Sequence, residues 1–357
     1  MQKLLHFLLI FGGIAGTIPV QNPLRYSLRA CKFKWLSFGT FYCLTFTIFV
    51  IFVSIDYVCN NVGFRFFGTY GVNDTPPLSV RIINVVIWCT SMTDLLFLRL
   101  SLLWYAGGFF RLLQSIQLVQ CRLASLEGGS NVTKIMRQGK GTKVLKNIFV
   151  LMTFGASGAY CVNQSFQIIK YYPSFLSNTF QSWWLPKFAI VSAVIGVTPD
   201  VIHCLAVSFA LMQFTFLAVA LSELYTRMGL CFSRMAYVQR PSTVATVKEG
   251  TWSRGAGEVI GKRLFTLGTG MLSGKFAICD LETFELLADS ITLFNSVCGF
   301  NLCILITTGT LGVTWVIFGF VTEGASFGVS ALIANAMSFA IISGLGQYFQ
   351  NAVGGRA

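Results

Sequence analysis

FAIVSAVIGVTPDVIHCLAVSFALMQFTFLAVAL, residues 188–221, decides how the rest of the chain is read. Its only ionisable groups are Asp200, His203 and the thiol of Cys204. A hydrocarbon core about 30 Å thick takes roughly 20 apolar residues at 1.5 Å each, as a helix, because every backbone amide there must be paired within its own segment. Phe188 to Leu211 meets that need, and the apolar character runs on to Leu221. This helix is expected to be long or to project beyond the bilayer.

Five other segments pass the same test: Leu36 to Val58, Ile82 to Trp104, Ile148 to Ile169, Ile291 to Val313 (apolar as far as Val321) and Phe327 to Gln347. The expected fold is an all-α, polytopic membrane helix bundle with six visible spans. Composition agrees with it. Of 357 residues, 54% are hydrophobic and 11% charged, with mean hydropathy +0.69. Soluble domains carry about 25% charged residues, so an ordinary cytosolic enzyme is excluded, and the same hydropathy excludes disorder. The net charge of +13 fits a nucleic-acid partner only if the cations share a soluble face. They sit instead in the gaps between apolar runs, so the partner expected is the lipid bilayer and no nucleic acid.

Those gaps set the orientation, since Lys and Arg collect in short cytosolic loops. Five precede the first span (Lys3, Arg25, Arg29, Lys32, Lys34), seven lie between the second and third, and eight between the fourth and fifth. The alternate gaps hold Arg65 and Arg81, then Lys170 and Lys187, then none. The N-terminus is therefore expected in the cytosol. The chain divides into a cytosolic segment (1–35), spans one to four with a ligand-pocket region (36–221), a cytosolic loop or anchor region (222–290), spans five and six (291–347) and a tail (348–357). Within the anchor region, Leu281 to Asp289 reads as a helix approaching span five, and Gly255 to Gly274, with no clear period, as loop. Lys3 followed by Leu4 to Ile18 and the small residues Ala15-Gly16-Thr17 also fits a signal peptide. The basic cluster Arg25 to Lys34 opposes translocation and favours a segment lying against the bilayer or the bundle.

Chemistry is sparse. The chain has two histidines and no Gly-x-Ser-x-Gly, Walker A or His-Glu-x-x-His pattern, so no catalytic residues and no enzymatic activity are expected. The eleven cysteines are scattered without Cys-x-x-Cys or metal spacing and read as packing residues; neither a metal nor a cofactor is expected. Asp200 and His203, three apart, can face each other on one turn. They are either a functional intramembrane pair, or a polar pair bonded inside the bundle or a helix start after Pro199. Asp94 and Arg99 in span two lie about 140° apart around a helix and need not pair. Asp94 falls near mid-depth, and Arg99 near the cytosolic end, where it is free to snorkel. They serve either as bundle glue or in ligand binding or gating.

Polar residues in the outer halves of the spans form a further group: Thr90, Asn163, Gln164, Gln167, Thr307, Thr308, Thr310, Ser330 and Asn335, with Trp88 and Trp315 at similar depth. A small hydroxylated ligand needs amide or hydroxyl partners in a concave apolar or aromatic setting. Interhelical hydrogen bonds, with Trp183, Trp184 and Trp315 in an aromatic belt, are the competing use of such residues. The candidate ligand-binding set is Trp88, Asp94, Asn163, Gln164, Gln167, Asp200, Thr310, Trp315 and Asn335.

The pattern Phe11-Gly12-Gly13-Ile14-Ala15-Gly16-Thr17-Ile18-Pro19-Val20, followed by Phe33-Lys34-Trp35-Leu36-Ser37 and Thr40-Phe41-Tyr42-Cys43, resembles the start of arthropod gustatory receptors, nearest the sugar-receptor branch. Phe284 to Ile306, with Leu287, Asp289, Asn295, Gly299 and Leu302, is similar to that family's approach to its fifth span. The resemblance implies a taste receptor of the plasma membrane: a ligand-gated, non-selective cation channel of four like or unlike subunits, binding a small-molecule tastant among the outer halves of spans two to six. It also implies a seventh, pore-lining span carrying Thr-Tyr and Gln-Phe, which has no counterpart before Ala357, and a charged helical segment where Gly255 to Gly274 stands. A truncated or mis-joined gene product accounts for both departures. A small-solute transporter, with Asp94, Asp200 and His203 along its path, is the alternative. A seven-helix G-protein-coupled receptor fits worse, for its N-terminus lies outside and its Asp-Arg-Tyr and Asn-Pro-x-x-Tyr motifs are missing.

The topology makes a direct prediction. Asn73-Asp74-Thr75 falls outside and Asn131-Val132-Thr133 inside, so in a glycosylating host a mass shift sensitive to glycosidase should vanish in Asn73→Gln and persist in Asn131→Gln. Modification at Asn131 would invert the orientation.

Overall fold

The computed structural model describes the backbone of residues 2–19, 34–67, 82, 96–127, 140–178, 189–238, 274–323 and 329–353. These residues contain eight helices and no strand: α1 (Gln2–Ile14), α2 (Phe38–Phe67), α3 (Leu96–Trp104), α4 (Ala106–Glu127), α5 (Lys140–Asn178), α6 (Ala189–Val238), α7 (Gly274–Glu323) and α8 (Val329–Val353). The fold is all-α. Among the described residues, α5, α6, α7 and α8 are each long and apolar enough to cross a membrane. The bent pair α3 and α4, which meet at 53°, makes a fifth if it is one span. Six were expected. The first expected span is covered by α2, but the apolar stretch described in it, Phe38–Phe52, is short. Most of the second expected span, residues 83–95, lies outside the described residues.

The opening stretch becomes the axis of the bundle. A helix that is apolar all round has no face to give to solvent and is enclosed on every side. In the most apolar part of Val201–Cys231, 94% of residues are buried, against 22% in the corresponding parts of α5, α7 and α8. Phe209, Phe216, Leu217 and Leu221 are enclosed, and α6 packs against α1, α2, α4, α5, α7 and α8. It starts at Ala189 and continues through Pro199, so no helix begins after that proline. Long helices in a bundle tolerate a proline where neighbours and side chains satisfy the freed carbonyl.

Side-chain contacts fix the direction of each neighbour. Across α5 and α6, Lys146 Nζ meets Glu223 Oε2 at 2.8 Å, Thr153 Oγ1 donates to Thr215 Oγ1 at 3.0 Å, and Cys161 Sγ lies 3.1 Å from Cys204 Sγ. One set of numbers rises as the other falls, so the two helices are antiparallel. The seam of α3 and α4 against α7 reads the same way. Ser101 hydrogen-bonds to Asn301, a Cβ at Gly108 would stand 3.1 Å from Val297 Cγ2, Ser115 Oγ and Ser290 Oγ lie 2.7 Å apart, and Arg122 pairs with Glu282 at 3.2 Å. On α4 the contacts at 108, 115 and 122 recur every seven residues, the repeat by which one helix face keeps meeting a partner. Between α5 and α8, small residues admit bulky ones: a Cβ at Gly155 would be 2.8 Å from Met337 Cε, and one at Gly344 would be 2.9 Å from Phe149 Cε1.

Direction thus alternates from α4 to α8. The ends that meet are the C-terminus of α4, the N-termini of α5 and α7, the C-terminal half of α6 and the end of α8. All three ion pairs found among the described residues lie there: Arg122–Glu282, Lys146–Glu223 and Arg227–Glu223. This is the end assigned to the cytosol by the lysine and arginine count.

In two regions expected to connect spans, the described residues form helices. Residues 105–147 hold α4, whose Leu112, Ile116, Val119 and Leu123 form a buried stripe. The anchor region is helical as far as Val238 and again from Gly274, and Leu281 to Asp289 is helix as expected. At 1.5 Å per residue, the 50 residues each of α6 and α7 reach about 75 Å, far beyond a 30 Å core. Residues 255–273 of the expected loop lie outside the described residues, and Gly274 opens α7.

The N-terminal segment lies against the bundle. Leu5, Leu8 and Leu9 of α1 are buried, and Phe7 packs on Phe154 of α5 with ring centroids 5.8 Å apart. A Cβ at Gly12 would come within 2.5 Å of the Phe209 ring and 2.7 Å of Ile18 Cγ1, both side chains being enclosed. Gly12→Ala is therefore expected to destabilise by roughly 1–3 kcal/mol through overpacking. Gly158→Ala, where a Cβ meets nothing within 4 Å, should be neutral or stabilising. Melting of the two variants in one detergent checks the difference.

Candidate functional site

Where α1 ends, three helices meet around a buried cation. After Ile14 the chain turns back on itself: Thr17 N and Ile18 N donate to Gly12 O at 3.0 and 3.3 Å, and Thr17 Oγ1 donates to the same carbonyl at 3.0 Å. Gly16 sits at φ 60°, the left-handed conformation that ends a helix and that a side chain strains. Its outward carbonyl accepts a hydrogen bond from Arg99 Nη2 at 2.7 Å. From α2, Tyr42 Oη donates to Ile14 O at 3.2 Å, and the Phe46 ring centroid lies 6.0 Å from the guanidinium carbon.

Arg99 is 2% exposed, so it does not snorkel. The cause is the carbonyl end of α1, which carries partial negative charge and accepts the cation in place of a carboxylate. That terminus contributes up to about 2 kcal/mol in buried geometry, and the aromatic face adds about 2 kcal/mol. Both together are comparable with the several kcal/mol that burying one ion costs. The balance is incomplete, for Arg99 Nε and Nη1 are buried without a hydrogen-bond partner among the described residues.

Further buried polar atoms without a hydrogen-bond partner among the described residues lie along α5 and α6: Ser157 Oγ, His203 Nδ1, Gln213 Oε1 and Ser222 Oγ. Left unpaired, such a group costs about 1–3 kcal/mol. They therefore form an unused set of hydroxyl, amide and imidazole partners inside the bundle. The expected pairing of Asp200 with His203 falls on a side chain outside the described residues.

Of the expected ligand-binding residues, Trp88 and Asp94 lie outside the described residues, as do the side chains of Asn163, Gln164, Gln167, Asp200 and Trp315. Asn335 is 7% exposed on α8, facing a glycine surface of α7; a Cβ at Gly312 would be 3.1 Å from its Nδ2, and one at Gly309 would be 3.5 Å from its Oδ1. Thr310 does not join it. It lies on the exposed side of α7 with Oγ1 donating to Ile306 O at 2.8 Å. Thr307 and Thr308 likewise bond back to carbonyls of their own helix, at 2.9 and 2.8 Å. Sequence reasoning passed over Ser101, Thr153, Ser157, Thr215 and Asn301, buried polar residues inside the bundle. The signal available for one seam was the seven-residue recurrence of Ser101, Gly108, Ser115 and Arg122.

Compared with known proteins, the chain matches no family model and no curated protein.

The Arg99 cradle can be tested by charge. Arg99→Met removes the burial cost along with the contacts and is expected to keep a monodisperse peak in detergent chromatography. Arg99→Glu sets an anion against the carbonyl end of α1 and should abolish folded protein. Indistinguishable profiles would remove the helix-terminus account of this residue.

Proposed function

We propose that the chain is a subunit of a ligand-gated, non-selective cation channel of the plasma membrane, a taste receptor that responds to a small-molecule tastant such as a sugar. In this reading four like or unlike subunits assemble, and each N-terminus is cytosolic. The observation that carries it is the set of buried polar atoms on α5 and α6 that have no hydrogen-bond partner among the described residues, with Asn335 set against the glycines of α7. Hydroxyls of a sugar are both donors and acceptors and would complete hydrogen bonds that the protein leaves open. The resemblance of Phe11 to Cys43 and Phe284 to Ile306 to gustatory receptors supports the same reading. So do the overlong antiparallel α6 and α7, which place a helical extension at the end that carries the ion pairs. Ligand binding opens such a channel only by favouring the open arrangement over the closed one.

The test is to express the full transcript in a non-native cell and record whole-cell current while applying sugars. Ligand-evoked current supports the channel; solute uptake without current supports a transporter. Asp94→Ala, Asn163→Ala and Asn335→Leu are expected to shift the dose-response by roughly tenfold, equivalent to about 1.4 kcal/mol. Thr45→Ala, on the exposed side of α2, should leave it unchanged. Equal responses in all four variants would remove the site from these helices.

A further inference from the structure

Forty-three residues apart in sequence, Cys161 of α5 and Cys204 of α6 have sulfurs 3.1 Å apart, about 1 Å more than a disulfide. Cys161 is exposed on the surface of the bundle, whereas Cys204 is buried beneath it, 4% exposed. Two further contacts on the seam hold the register of the two helices. The same seam is held two turns away by Thr153 and Thr215 and further along by Lys146 and Glu223. Cys161 lies within the expected third span, so its open side faces lipid and the oxidant that reaches it is a membrane-permeant peroxide, with the enclosed thiol on the same seam placed to resolve the product.

We propose that Cys161 and Cys204 are a peroxide-oxidised staple between α5 and the central helix α6, with Cys161 the reacting and Cys204 the resolving residue. In the first step the Cys161 thiol gives up its proton and its sulfur attacks one peroxide oxygen. The O–O bond breaks, Cys161 becomes a sulfenic acid, and the other oxygen leaves with the proton as water, or as an alcohol from an organic hydroperoxide. In the second step the Cys204 sulfur attacks the Cys161 sulfur. The S–O bond breaks, the S–S bond forms, and the hydroxyl leaves as water with the Cys204 proton. Two thiols lose two electrons and the peroxide gains them. The sulfur–sulfur bond to buried Cys204 ties the outer part of α5 to the axis of the bundle, so oxidation adds a covalent link to the one helix that the others enclose.

The experiment uses the purified full chain in lipid nanodiscs, reduced and then treated with hydrogen peroxide or tert-butyl hydroperoxide, followed by alkylation, digestion and mass spectrometry without reductant. Expected is a cross-linked peptide joining Cys161 to Cys204, lighter by two hydrogens and released by dithiothreitol, together with a rise in melting temperature that dithiothreitol reverses. Cys204→Ser should leave Cys161 as a sulfenic acid trapped by dimedone, Cys161→Ser should leave Cys204 reduced, and Cys303→Ser, an exposed cysteine on α7, should still form the link. Overoxidised Cys161 beside a free Cys204, or a link from Cys161 to another cysteine, would overturn the proposal. So would two free thiols at 161 and 204 after Cys303 has reacted and copper–phenanthroline has been added.

Discussion

A helix without a polar side has to be surrounded, and that requirement organises this chain. Phe209, Leu217, Ala218 and Thr215 lie at about 0°, 80°, 180° and 240° around the axis of α6 and are all enclosed. No one neighbour can cover them. Six helices do so together, and the more exposed positions of α5, α7 and α8 follow from their place as the outer ring. In lipid, an apolar surface gains little by leaving its surroundings, so the ring is held chiefly by close packing and interhelical hydrogen bonds. Glycines at 155, 309, 312 and 344 and hydroxyls at 115, 153, 215 and 290 supply those two terms.

The charges obey the same economy. Glu223 is 11% exposed in its side chain and lies between Lys146 and Arg227, an ion cluster with one cation in excess, placed at an end of the bundle where water can screen it. Arg99 lies deeper and is matched by the last carbonyls of α1. The first cluster is ordinary salt chemistry; the second depends on the exact turn at Gly16, so a backbone conformation sets the setting of a charge eighty-three residues away.

Much of this was legible in the residues. Length and hydropathy located α5 to α8, and the continuation of residues 188–221 past bilayer length anticipated the long α6. Three things were hidden, each for a physical reason. α4 carries Arg111, Arg122 and several glutamines among its leucines, so a test for continuous apolar runs skips it while its stripe of Leu112, Ile116, Val119 and Leu123 remains. Arg99 looked ready to reach water because a helix terminus has no signature as a counter-charge in sequence. The meeting of Cys161 with Cys204 depends on the register between two helices, which no local pattern specifies. Of the candidate ligand residues, Asn335 was placed in a buried setting and Thr310 on an open one, because a threonine hydroxyl in a helix is readily satisfied by the carbonyl one turn back.

The docking of α1 carries a consequence for biosynthesis. Leu5, Leu8 and Leu9 leave the ribosome well before the surface that covers them, around Phe209 and Phe154. At roughly 5–20 residues per second, about ten to forty seconds separate the two. Throughout that interval α1 is a greasy, unmated segment, available to chaperones and to the quality-control machinery. Seating of α1 therefore waits until the central helix, about 200 residues downstream, has been made.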